Sequence, residues 1–175
     1  MVVANYKGAF AHDKEFFRGA ADPLSTPRYI IYWGEEYRNH SPLGHMAFLN
    51  IKKLVPPFYT SVPGSDSPYD FPLNTMAALE ARKQGGLVSY VHPAGNRDIL
   101  DTSLGAKEIP VGAALGAVDS IDILPFGDTA FELWYRLLNC GFKIAPGAGT
   151  DVFTNWCGIN QIPGGAREYV EVAPS

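Results

Sequence analysis

The sequence predicts an α/β fold with a mostly parallel sheet or barrel, formed as one domain over residues 1–175. Two observations lead there. From residue 74 onward the pattern runs helix, strand, loop, strand, helix, strand, and each apolar run is short and bounded by turn residues. Residues of metal-ligand type also stand just past the ends of several of these runs. That is where α/β folds place their chemistry.

Taken in order, residues 1–4 read as the end of a strand. Residues 5–28 are polar and small, with Asp22-Pro23 and Thr26-Pro27 as turn signals. Tyr29-Ile30-Ile31-Tyr32-Trp33 is β-branched and aromatic and stops at Gly34, so it reads as a buried strand. Met46–Ile51 is a second strand after Gly44-His45. Between residues 53 and 73, five prolines and Gly64 exclude regular structure. The aromatics of that stretch, Phe58, Tyr59, Tyr69 and Phe71, suggest a lid over a site at residues 56–72. Asn74 then caps a helix over Thr75–Gln84, with Met76, Leu79 and Lys83 on one face and Gly85-Gly86 at its end. Leu87–Val91 is a strand stopped by His92-Pro93.

Residues 106–116 are irregular or weakly helical. Val118–Leu124 is a strand on which Asp119 and Asp122 fall on opposite faces. Asp128 caps a helix over Thr129–Asn139. Its apolar stripe is Phe131, Trp134, Leu137 and Leu138, and Gly141 follows it. Phe142–Pro146 is a short strand leading into Gly147-Ala148-Gly149-Thr150-Asp151. Glu168–Val172 alternates like a last strand.

Composition removes several function classes. Charged residues make up 18% and the formal net charge is −4, with no basic cluster longer than Lys52-Lys53, so nothing marks a nucleic-acid binder. No apolar run approaches the ~18 residues of a membrane span. The first residues lack the basic start and apolar core of a signal peptide. The 2 cysteines define no disulfide framework: Cys140 reads as a small buried apolar residue, and Cys157 follows a Gly-rich loop. Gly-x-Ser-x-Gly, a phosphate-binding loop and a dinucleotide fingerprint are all absent.

The chemistry concentrates in Arg28–Ile51, which carries Glu35, Glu36, His40 and His45 between two apolar runs. Carboxylate and imidazole together suit a divalent transition metal. Read alone, the same residues also fit a solvated turn beside a core histidine. His92 and Asp151, each just past an apolar run, turn the balance toward a metal site made of Glu36, His45, His92 and Asp151. His12 reads as a solvated loop residue. Arg97 is a candidate to meet an anionic substrate, and His40 and Tyr59 are candidates for substrate contact.

YWGEEYRNHSPLGHM, LVSYVHP, VDSIDIL, ELWYRLLNCGF and PGAGTD together resemble the CehA/McbA-type metallohydrolases of the PHP (polymerase and histidinol phosphatase) superfamily. The resemblance runs in order over nearly the whole chain. It implies a distorted (β/α)7 barrel holding zinc, manganese or iron. It also implies hydrolysis of a carbamate, ester or phosphoester bond in a small-molecule substrate. Glu36 takes the place of the family's often metal-bridging glutamate, and His45, His92 and Asp151 match the later ligands. Glu36 or Asp151 would take the proton of the attacking water. The family's opening His-x-His is missing, so the barrel is expected to be truncated at its N-terminal side. The last motif reads Asp151-Val152-Phe153 instead of Asp-x-His. The competing expectation is a catalytically inactive metal-binding or structural domain.

Overall fold

Alternation along the strands gives one sheet two chemically different faces. A computed structural model describes residues 15–39, 42–57, 60, 67, 71–93, 106–124, 128–152 and 162–172. Among these residues the strands are β1 (Glu35–Arg38), β2 (His45–Leu49), β3 (Leu87–Val91), β4 (Ser120–Leu124) and β5 (Ala145–Ala148). The helices are α1 (Asn74–Lys83), α2 (Ile109–Ala114) and α3 (Asp128–Asn139). The five strands form one sheet in the order β1-β2-β3-β4-β5. The pairs β1–β2 and β2–β3 are antiparallel, and β3–β4 and β4–β5 are parallel.

This corrects the expected barrel. The sheet is open and mixed, so it is neither a (β/α)7 barrel nor mostly parallel. For β1 and β2 the reason lies at residues 39–44. A short connection joins β1 to β2, and a short connection can only return the chain antiparallel.

One face carries the core. Tyr37, Met46, Phe48, Val88, Tyr90, Ile121 and Ile123 alternate with the residues of the other face and pack against Ala77, Ala78 and Ala81 of α1, Ile109 of α2, and Leu133 and Leu137 of α3. Full burial of each large apolar side chain contributes about 1.5–3 kcal/mol. The alanines of α1 let that helix approach the sheet closely. Met76 and Leu79, placed by the sequence on one face with Lys83, are exposed.

Asn74 does not cap α1. It lies buried in the first turn, and its Nδ2 donates to the carbonyls of Leu43 and Gly44 and to Tyr90 Oη. The helix start is satisfied from outside: Glu108 accepts the backbone N–H of Asn74 at Oε2 and of Thr75 at Oε1, both at 2.9 Å. A carboxylate placed there bonds orphan donors and meets the positive end of the helix dipole. At the far end of α3, Gly141 has φ +88°, and Phe142 N–H returns to the Leu137 carbonyl.

Three other expectations change. Tyr29–Trp33 is not a regular strand. It makes only isolated bridges, and Tyr29, Ile30 and Ile31 are exposed. The chain here is held by turn bonds among Asp22, Ser25, Thr26 and Ile31, which use up the backbone groups a sheet would need. Residues 167–172 form no strand, and Tyr169, Val170 and Val172 lie exposed. Cys140, just past α3, is exposed instead of buried. No helix among the described residues is long and apolar enough to cross a membrane.

Candidate metal centre

The second sheet face carries small and polar residues. Register places Glu36, Ala47, Ser89, Ser120 and Ala145 in one row across the five strands. The adjoining row contains Arg38, His45 and Val91, then Asp122 beside Gly147. Directly paired residues share a face, so Glu36 and His45 project from the side opposite the core. Ala47, Ser89 and Gly147 leave room between them.

Each of three ligand-type side chains is placed by a different device. Glu36 is fixed by pairing of β1 with β2. His45 opens β2 after a turn that is held on three sides. Lys107 N–H donates to the Pro42 carbonyl at 2.8 Å, and Asn74 holds the carbonyls of Leu43 and Gly44. Gly44, at φ +86°, lies so close to Ala106 that a Cβ there would come within 2.5 Å of the alanine methyl. His92 follows β3 at φ +34°, where the strand ends and the ring turns onto the site face. Left-handed backbone is uncommon for a non-glycine residue, and it concentrates at functional positions.

The three side chains converge. His45 Nδ1 lies 3.1 Å and His92 Nε2 3.4 Å from Glu36 Oε1, and the two ring nitrogens are 3.3 Å apart. The imidazoles meet edge to face with centroids 4.9 Å apart. All three side chains are mostly buried yet reachable, at 15%, 14% and 26% exposure for Glu36, His45 and His92. Their ligand atoms could hold a metal ion.

Electrostatics follow from the packing. Burial alone would push the Glu36 carboxyl up, but hydrogen bonds and positive charge from His45 and His92 outweigh it and hold the group far below the usual carboxylate range. Burial also lowers His45, and the neighbouring His92 and Arg38 add to that, so Glu36 only partly offsets the shift. His92 goes the other way. Burial lowers it, but the Glu36 bond, the Glu36 charge and the charge of Asp151 together raise it. The result is one poorly protonated and one readily protonated imidazole sharing a carboxylate.

Of the four ligands expected from sequence, these three come together. Asp151 does not join the cluster of mutually close ligand atoms. It is exposed, sits beyond β5 at φ +49° and acts on His92 through its charge. His12, His40, Tyr59, Arg97 and Cys157 lie outside the described residues, as do Phe58 and Tyr69 of the expected lid, whereas Phe71 is exposed.

Asp122 has no place in the sequence-derived site, yet it lies on the same face. It is 8% exposed, and its carboxyl meets Ser89 Oγ at 3.4 Å. A Cβ on Gly147 would fall 2.5 Å from its Oδ1, and a Cβ on Gly149 would overlap its Oδ2, so two glycines make the space it occupies. Burial pushes its proton affinity up to about 6 against a usual 3.8. The Ser89 bond and the His92 charge counter this, and the charges of Glu168 and Asp151 reinforce it. The sequence signal was a carboxylate inside Ile121-Asp122-Ile123 followed by Gly147-x-Gly149 at the end of the next strand.

No family model, curated protein or solved structure matches the chain.

Proposed function

We propose that Glu36, His45 and His92 bind one divalent ion, zinc before manganese or iron, and that the protein is a metal-dependent hydrolase of a small carbamate, ester or phosphoester. The observation that carries this reading is the size of the ligand triangle. Ligands about 2.0–2.1 Å from a tetrahedral zinc lie roughly 3.3–3.4 Å from one another. The three atoms here are separated by 3.1, 3.3 and 3.4 Å. Two imidazoles with one carboxylate form a set used by catalytic zinc, which keeps a fourth position for water. The resemblance to CehA/McbA-type metallohydrolases at the same three residues points the same way.

Held by Glu36, His45 and His92, a divalent ion would supply a bound water of lowered pKa and polarise the oxygen of the bond under attack. The chain's own contribution is orientation. The pinned turn before His45 and the strained backbone of His92 fix both rings against Glu36. The exposed Asp151 carboxylate is available to accept a proton at the rim.

The test is hydrolysis of 4-nitrophenyl acetate, 1-naphthyl N-methylcarbamate and 4-nitrophenyl phosphate by the purified chain. Turnover of at least one should be abolished by 1,10-phenanthroline, return with added zinc or manganese, and be lost in His45→Ala. Turnover that survives both chelation and a His45→Ala/His92→Ala double substitution would overturn the reading. Stoichiometric metal binding without turnover of any ester, carbamate or phosphoester would make the site a structural one.

A further inference from the structure

Asp122 is costly where it stands. A buried carboxyl without a charged partner in contact is disfavoured in its ionised form, so its place in a sheet calls for an explanation. Among the described residues its hydrogen bond is to Ser89 Oγ alone, and at 3.4 Å that bond is long. The two glycines opposite it remove side chains that would otherwise fill the space.

Its position relative to the metal centre is specific. Asp122 shares the sheet face of Glu36 and His45, and it lies in the row of His45 two strands away. Two strand spacings come to roughly 9.5 Å between backbones. His92, at the end of β3, is only one strand away, but Asp122 is not among the three mutually close ligand atoms. Asp122 therefore flanks the ligand set on the same sheet face, where a group can meet the leaving side of a small substrate whose reacting carbonyl sits at the metal centre. His92, Asp151 and Glu168 are the charged groups facing it, and Ser89 supplies its hydroxyl contact.

We propose that Asp122 is a further catalytic residue of this site, donating its proton to the leaving oxygen or nitrogen of the substrate. The inference rests on the metal-dependent hydrolase reading above. In the step, a bond forms between the water oxygen and the acyl carbon, and the bond from that carbon to the leaving atom breaks. The leaving atom takes the bond's electron pair together with the Asp122 proton. The proton released by the attacking water restores Asp122, so one water is consumed and no other reactant is needed. A carboxyl that keeps its proton to about pH 6 is suited to that donation.

Leaving-group ability supplies the test. Asp122→Asn keeps the size and the Ser89 contact but cannot donate a carboxylic proton. With zinc bound, turnover of 4-nitrophenyl acetate, whose leaving group needs no proton, should change less than about threefold. Turnover of phenyl or ethyl acetate should fall by about 10²-fold or more, the ordinary contribution of general acid catalysis. Zinc affinity by calorimetry should be unchanged, and ¹³C-carboxyl NMR of the metal-free chain should show Asp122 losing its proton near pH 6. Equal loss on all esters, no loss on any, or a carboxyl already ionised at pH 4.5 would overturn the role of Asp122 while leaving the metal site standing. Wild-type chain that binds no zinc and hydrolyses none of the esters would overturn both.

Discussion

Replacing Asp122 by Asn should make the metal-free protein more stable at neutral pH. The carboxyl loses its proton near pH 6 in the fold and near 3.8 in the free chain. The folded state therefore holds the proton more tightly than the unfolded state does. Stability is lost as pH rises from about 4 to 6, and the deficit is constant above that window. Integrated to pH 7, the difference comes to about 3 kcal/mol. The amide of Asn carries no such penalty and can keep the Ser89 contact. Urea unfolding in the presence of EDTA measures the effect. With a slope of ~1–3 kcal/mol/M, the midpoint of Asp122→Asn should rise by about 1–3 M at pH 7.5 and match the wild type near pH 4. A variant that is equally or less stable at pH 7.5 would refute the account of Asp122 as a buried, poorly compensated carboxyl. A gain that persists unchanged at pH 4 would assign it to packing instead of ionisation.

Three further outcomes follow from the geometry. Gly149→Ala should destabilise the wild type by about 1–3 kcal/mol, because its methyl overlaps Asp122 Oδ2, and should cost much less in an Asp122→Ala background; a double-mutant cycle in urea reads the coupling. Glu108→Ala should cost about 2 kcal/mol of stability by leaving the first N–H groups of α1 without acceptors, with zinc affinity little altered. Zinc affinity by competition titration should fall about tenfold per pH unit as pH drops below the raised value of His92, which lies above 6.5; affinity flat from pH 7.5 to 5.5 would remove His92 from the ligand set.

What the sequence disclosed was mostly local. Leu87–Val91 and Asp128–Asn139 appear where their periodicity placed them, because strand and helix patterns are written within a few residues. His45 and His92 were legible for a related reason: each stands at the boundary of an apolar run that becomes a strand, whereas Glu36 was found beside the run Tyr29–Trp33, which the sheet does not use. The expected barrel was wrong, and the open mixed sheet was not legible, since closure or its absence depends on pairings between distant strands that no short window records. Tyr29–Trp33 misleads because aromatic and β-branched composition marks a strand only where a partner accepts it. The neighbouring polar Glu35 became the buried residue instead, with Oε2 accepting Val55 N–H at 2.7 Å. Asn74 gave up its expected capping role to Glu108 through contacts 30 or more residues apart. Asp122 escaped notice because its environment is made by Gly147 of β5 and Gly149 just beyond it.

Zinc titration of the metal-free chain, followed by zinc X-ray absorption, tests the metal centre most directly. The account predicts one zinc per chain, two imidazole nitrogens and one carboxylate oxygen at about 2.0–2.2 Å, and loss of the site in Glu36→Ala, His45→Ala and His92→Ala alike. Zinc bound with the same affinity by a variant lacking all three side chains, or a spectrum without imidazole scattering, would contradict it.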